Sequence, residues 1–277
     1  MKLTQDNYFG REAAHKFMSV SQFKAFQRCE AAGLAEVQGL YERPETTALL
    51  VGSYVDAKIE GEEAFEKFVS EHPEMFKKDG SLKADLVQAE QIYERIKSDR
   101  LAFMLLSGAH QVIITGKIAG VPFRGKIDSL LSPEQCEEII SEFPDTKEAL
   151  GGPFGSVGAI VDGKVMKDFA PVWSESAFCK QNWVDAWDYP IQGAVYRHLE
   201  GGNKPFILDA ATKETGTGLD AVYVPSAELD AAFRIVEEYA PRYHKIKLGK
   251  IEPTRCENCE WCRRTKRLTR IRNYKEV

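Results

Sequence analysis

Apolar residues along this chain recur first at every third or fourth position, then at every second, and later return to the longer spacing. The longer spacing is that of a helix face, and the shorter is that of a half-buried strand. Ser19-Val20-Ser21 ahead of Gln22-Phe23-Lys24-Ala25-Phe26 reads as an N-cap and a helix start, with Phe23, Phe26 and Cys29 near one face. A turn at Arg43-Pro44 leads to a second amphipathic helix over 48–68. A third, over 84–105, carries Leu86, Ala89, Ile92, Tyr93 and Ile96 at helical spacing. From His110 to Ile118 the pattern alternates: Val112, Ile114 and Gly116 fall on one side, Ile113 and Thr115 on the other. The turn Ala119-Gly120-Val121-Pro122 returns the chain through 123–131, which predicts a β-hairpin.

Residues 132–158 interrupt this sheet with a short helical piece (133–141) and the loop Gly151-Gly152-Pro153-Phe154-Gly155. Strands over 159–166, 205–211 and 221–224 and helices over 183–199 and 227–248 follow. With no internal repeat or low-complexity linker, the pattern predicts one α/β domain over 1–277. Its parts are a helical segment (19–107), a sheet core (109–225) with an insertion at 132–158, and a C-terminal helix with a cysteine cluster (226–277).

At 43% hydrophobic and 29% charged, the 277 residues have the composition of a soluble globular protein. No apolar run approaches the about 20 residues that span a bilayer, and Met1-Lys2-Leu3-Thr4-Gln5-Asp6 lacks the apolar stretch of a signal peptide. The expected location is the cytosol, with no membrane partner. There the six cysteines are thiols or metal ligands rather than disulfides. A net charge of −5 argues against a passive nucleic-acid coat but not against an enzyme with an acidic metal site. Basic residues gather at the end: Arg263, Arg264, Lys266, Arg267, Arg270, Arg272 and Lys275, with Glu276 the single acid among them. The segment is either a phosphate-binding surface or a solvated basic tail.

The candidate chemistry lies on the strands. Asp128 closes Gly125-Lys126-Ile127-Asp128 at a strand end, and Asp162-Gly163-Lys164 sits within the next strand. Residues two apart in a strand face one side, so Asp162 and Lys164 point together. Two carboxylates are hard oxygen donors for Mg²⁺ or Mn²⁺, to which the Gly163 carbonyl can add. A lysine beside them can orient a water and stabilise charge developing on a phosphate. An isolated Asp-x-Lys also occurs by chance on surface strands, and Pro144-Asp145-Thr146-Lys147 spells the pattern more literally. Asp162 is preferred because Ala159-Ile160-Val161 and Val165 surround it with a buried strand, whereas Asp145 follows a proline in an expected loop.

Four stretches in order, Ser19 to Phe23, Gly52 to Asp56, Gly125 to Asp128 and Tyr189 to Tyr196, resemble phage-encoded RecB-family, RecE-like exonucleases with a PD-(D/E)xK core. The resemblance spans most of the chain. It implies a restriction-endonuclease-like fold, a mixed sheet flanked by helices. It also implies metal-dependent hydrolysis of DNA ends in phage recombination, alongside a phage single-strand annealing protein. Asp56 stands where the family usually has a metal-binding His, and Glu60 lies one turn on. Gln192 and Tyr196, at i and i+4, match the family's Gln-x-x-x-Tyr motif and are implied to border the active site; packing and solvation are the plainer roles. Lys213 either reaches a phosphate or is solvated at a strand end. Gly163 departs from the apolar residue usual in the catalytic strand.

Cys256-x-x-Cys259-x-x-Cys262 places three thiols at a spacing suited to a metal or cluster, and a closed site needs a fourth ligand. The resemblance implies Cys29, since iron–sulfur RecB-like nucleases use one cysteine before the core and three after it. Their last spacing is longer than the one here. A four-iron–four-sulfur cluster is read ahead of zinc, because thiolates suit both. Cys136 and Cys179 read as ordinary thiols. Two rival readings share these residues: a CRISPR-adaptation-type nuclease that trims ends, and an inactive DNA-binding scaffold that keeps the cysteine staple.

Overall fold

Seven strands form in the computed structural model, which describes residues 1–42, 47–152, 155–174, 178–271 and 273–276. The expected turn at Arg43-Pro44, the Pro153-Phe154 step and Arg272 lie outside these residues. The strands are β1 (Ala109–Ile118), β2 (Val121–Leu131), β3 (Ala159–Met166), β4 (Val172–Ser174), β5 (Cys179–Gln181), β6 (Phe206–Thr212) and β7 (Leu219–Val224). The central sheet runs β1-β2-β3-β6-β7, while β4 and β5 make a separate ribbon. Among the strands of the described residues, only β3 and β6 pair in parallel, and the helix Tyr189–Leu199 lies in the connection between them. The sheet is therefore mixed and flanked by helices, as the family resemblance implies. β6 is buried along its whole length, as a strand covered on both faces must be.

The β1–β2 turn is tighter than expected. Ala119 and Gly120 have φ of 45° and 79°, and Ile118 already pairs with Val121. Positive φ at both central residues suits a two-residue hairpin to the strand twist, so Val121 and Pro122 belong to β2. Three expected helices are each broken once. The second divides at Gly61 into Thr47–Glu60 and Glu62–Glu71. The third divides at Asp99, whose carboxylate caps the Ala102 N–H at 3.2 Å. The one over 183–199 divides at Trp187-Asp188, where Asp188 is left-handed and Pro190 enters the first turn of the next helix. In each case the apolar period runs on across the break, so periodicity alone does not reveal it.

Two apolar layers clasp the sheet. Helices Val20–Arg28, Tyr189–Leu199 and Ser226–Lys247 cover one face, packing on Phe123, Ile127, Ile160, Phe206 and Leu208. Helices Thr47–Glu60, Ala84–Ser98, Arg100–Leu105 and Pro133–Glu142 cover the other, packing on Leu131, Val161 and Ile207. The 132–158 insertion thus contributes Cys136, Ile139 and Leu150 to a core layer. No helix among the described residues is long and apolar enough to cross a membrane.

One close approach sets the distance from helix Tyr189–Leu199 to the sheet. A Cβ on Gly193 would overlap the Phe206 ring of β6 and stand 2.8 Å from Leu229. Overpacking of this kind costs about 1–3 kcal/mol. Gly193→Ala is expected to lower stability by about that much in urea denaturation. A change near zero would mean the helix is not pressed onto the sheet there.

Candidate active site and cysteine centre

β2 and β3 pair only where Ser129, Leu130 and Leu131 meet Val161, Ile160 and Ala159. Beyond that step the two strands separate, and Asp128 and Asp162 stand at the fork. Residues of one parity share a strand face, yet Ile127 belongs to one core layer and Leu131 to the other. The strand therefore turns over near Asp128. Across from it on β1, Gln111 has a φ of 52°, uncommon for a non-glycine residue. In place of a continued ladder, the Gly163 N–H donates to Asp128 Oδ2 at 3.1 Å.

Asp162 is 1% exposed. Lys164 Nζ forms an ion pair with Asp162 Oδ2 and donates to the Gly163 carbonyl at 3.1 Å. From the helix above, Gln192 Nε2 donates to Asp162 Oδ1 at 2.6 Å. Asp56 arrives from the opposite helical layer. Its Oδ1 lies 3.9 Å from where a Gly163 Cβ would stand, and Leu106 lies 3.6 Å from the same point. Those are ordinary contacts, so space does not demand glycine at 163.

Charge at the fork is unbalanced. Burial first, and then the neighbouring Asp162, hold Asp128 well above the usual carboxylate range; Lys164 offsets only part of this. Burial raises Asp56 to about 6, with Lys164 pulling down and Asp162 pushing up. For Lys164, burial alone would favour the neutral amine, but Asp162 and Asp128 outweigh it and raise its pKa. Lys164 is therefore an ammonium at neutral pH. Asp162 Oδ2 is buried against the Lys164 ammonium. A hard divalent cation fits this donor set, since it needs oxygen ligands and supplies the missing positive charge. Asp128 and Asp162 are the adjacent pair for it, and Asp56 faces them across the fork.

Tyr196 is 8% exposed and covers Gly125, where a Cβ would stand 2.8 Å from its ring. Burial, then Asp162 and Asp128, hold its hydroxyl protonated. Four further residues border the site without having been expected there: Tyr189, Lys24, Gln111 and Lys126. The Tyr189 ring lies 5.4 Å from Lys164 Nζ and 5.3 Å from Lys24 Nζ. Gln111 and Lys126 join Asp56, Glu60 and Asp128 in a cleft of about 830 Å³. Lys126 had a readable signal, two residues before Asp128 on the same strand; Lys24, on a distant helix, had none. Asp145 is exposed on the 3-10 turn Pro144–Thr146 and so lies on no strand. Lys213 is placed at the end of β6 by its N–H bond to the Met166 carbonyl.

The four expected cysteines come together, with all four Sγ atoms within 4.8 Å of one another. Cys29 and Cys262 are 3.6 Å apart, and Cys256 and Cys262 4.0 Å. Cys29 is the extended joint between helices Val20–Arg28 and Glu30–Val37. Cys259 caps the helix Glu260–Arg264, accepting from the Cys262 N–H at 3.4 Å. Burial opposes ionisation of Cys256, but the N–H groups of Cys259 and Asn258 outweigh it and bring the thiol to about 6. These soft donors form a group that can hold a metal ion. Cys136 is buried and Cys179 exposed, both outside the group. Arg263, Arg264, Lys266 and Arg267 are exposed, with Arg264 paired to Glu260 and Lys266 to Glu257.

The fork, the Asp-x-Lys strand and the mixed sheet define the class: a PD-(D/E)xK nuclease fold carrying a four-cysteine centre. The chain belongs to the family described as PDDEXK-like domain of unknown function (DUF3799), which matches residues 19–137 and 155–265. The gap between the matched parts falls within the 132–158 insertion. Among solved structures, the chain is similar to a protein from Eubacterium rectale provisionally described as an exonuclease. The two share 34% identity and a TM-score of 0.83, over 100% of this chain and 98% of that one. No curated protein matches.

The fork predicts an inverted pH dependence for one variant. A carboxylate whose folded pKa lies above its unfolded value of about 3.9 loses stability as pH rises between the two. Without metal, Asp128→Asn is expected to raise the thermal midpoint by several degrees at pH 8 and hardly at all at pH 4. An unchanged or lower midpoint at pH 8 would show that Asp128 is not under repulsion.

Proposed function

We propose that this chain is a metal-dependent DNA nuclease that shortens linear DNA from its ends, in phage recombination or repair in the bacterial cytosol, alongside a single-strand annealing protein. The observation that carries the hydrolytic part is the joint presentation of Asp128, Asp162 and Lys164 at the fork. Exonuclease polarity of action rests on likeness to the Eubacterium rectale protein and to RecE-like enzymes.

Asp128 and Asp162, with Asp56 across the fork, would hold Mg²⁺ or Mn²⁺, which when bound supplies charge stabilisation at the phosphate and an acidified water. The chain's own groups do the rest. Gln192 fixes Asp162 through Oδ1, leaving Oδ2 toward Lys164. Lys164, held charged by its carboxylate neighbours, cannot accept a proton. Its role is to donate hydrogen bonds to water and phosphate oxygen. Tyr196 backs this arrangement from the core. At the cleft Phe9 is 76% exposed, with Lys126 Nζ 4.8 Å from its ring. An aromatic face beside a cation suits a base and its phosphate. Arg263, Arg264, Lys266 and Arg267 would add phosphate contacts.

Cleavage of end-labelled linear duplex DNA with Mg²⁺ or Mn²⁺ tests the proposal. The wild type is expected to shorten it progressively and to spare a covalently closed circle. Lys164→Ala and Asp162→Ala should each reduce the rate by about 10²-fold or more. Equal rates in wild type and both variants would remove the fork from the chemistry, and nicking of the circle would make the enzyme an endonuclease.

A further inference from the structure

We propose that Cys29, Cys256, Cys259 and Cys262 bind one zinc ion, not the four-iron–four-sulfur cluster that likeness to RecB-like nucleases implies. The size of the sulfur tetrahedron decides between the two. In a mononuclear site all four thiolates bond the same ion; with zinc–sulfur bonds of about 2.3 Å, their sulfurs stand about 3.8 Å apart. In a cubane cluster each thiolate bonds a different iron, so four irons and four sulfides lie between the cysteines and drive their sulfurs well beyond that spacing. Here the separations are 3.6 Å for Cys29–Cys262 and 4.0 Å for Cys256–Cys262, and no pair exceeds 4.8 Å.

The spacing is imposed by the surrounding hydrogen bonds. Glu30, next to Cys29, accepts from Arg242 at 2.6 and 2.8 Å and from the Thr254 N–H at 2.7 Å. The Ala31 N–H donates to the Thr254 carbonyl at 3.1 Å, and Arg255 Nη2 donates to the Cys262 carbonyl at 2.6 Å. The bonds of Glu30 and Ala31 tie the chain just after Cys29 to Thr254, two residues before Cys256, and Arg255 closes the three-cysteine segment on itself. Spreading the thiols to admit a cubane would break them, and would also open the packing of Ala31 and Ala32 around Cys262, which is 0% exposed. The short last spacing acts in the same direction. Cys256, Cys259 and Cys262 form two successive knuckles, each with an N–H donated to the preceding sulfur, at 3.3 and 3.4 Å. With all four positions filled by protein, the ion has no site for substrate or water. It is structural, holding helix Glu30–Val37 against helix Glu260–Arg264 with its exposed Arg263 and Arg264.

The test is the metal content of the full chain, purified without oxygen from cells supplied with both iron and zinc. One zinc per chain, no acid-labile sulfide and no visible absorption are expected. Iron and sulfide in equal amounts with a brown colour would overturn the proposal, and so would a folded protein with no bound metal. Replacing zinc with cobalt in the wild type should give the visible bands of a tetrahedral all-thiolate site; an octahedral spectrum would also overturn it. Cys29→Ser and Cys259→Ser should each shift the cobalt bands or lose the ion, with folding followed by circular dichroism. Full zinc and an unchanged cobalt spectrum in both would place the ion elsewhere.

Discussion

The crowding of three carboxylates at one fork in the sheet, Asp162 buried and Asp128 and Asp56 half-buried, is the constraint around which this molecule is arranged. Asp128 and Asp162 sit where β2 and β3 part, Asp56 faces them, and burial strengthens every charge interaction there. The supports are few and direct: the Gly163 N–H on Asp128, Gln192 on one oxygen of Asp162, and Lys164 on the other. They hold the carboxylates in place without neutralising them all. A cation bound there would relieve the crowding, so the arrangement trades stability for the function proposed above.

The elements around the fork serve this arrangement from both sides. The helix that delivers Gln192 is pressed onto β6 at Gly193, and the same helix lays Tyr196 over Gly125. Helix Thr47–Glu60 brings Asp56 from the opposite layer, whose core includes Val51, Tyr54 and Val55. Farther away, the cysteine centre joins the first core helices to the end of the chain. The fork and the cysteine centre are thus separate donor sets: hard oxygen donors on the strands, and soft sulfur donors from Cys29 and the segment 256–262.

Much of this was legible in the residues. The alternation through 110–131 and the apolar run at 159–161 place Asp128 and Asp162 on neighbouring strands, and the two-residue step puts Lys164 beside Asp162. The cysteine spacing marks three members of the soft site. Other features depend on non-local packing and leave no local pattern. The helix breaks are an exception, marked locally by Gly61, the capping Asp99 and Pro190 but masked by an apolar period that continues across them. The turnover of β2 at Asp128 is a property of the hairpin with Gln111, not of either strand alone. Lys24 and Lys164 meet the same Tyr189 ring only because elements far apart in sequence pack on one face. The spacing of three cysteines allows zinc and cluster alike; only the separation of all four sulfurs distinguishes them.

The most direct measurement is calorimetric titration of Mn²⁺ into the wild type and Asp162→Asn at pH 8 and pH 5. Thiolates are poor Mn²⁺ ligands, so the cysteine centre does not compete. The account predicts binding by the wild type at pH 8. It should weaken at pH 5, where Asp56, with its pKa of about 6, and Asp128 take up protons, and it should be lost in the variant. Equal binding by both proteins, or wild-type binding indifferent to pH, would contradict it.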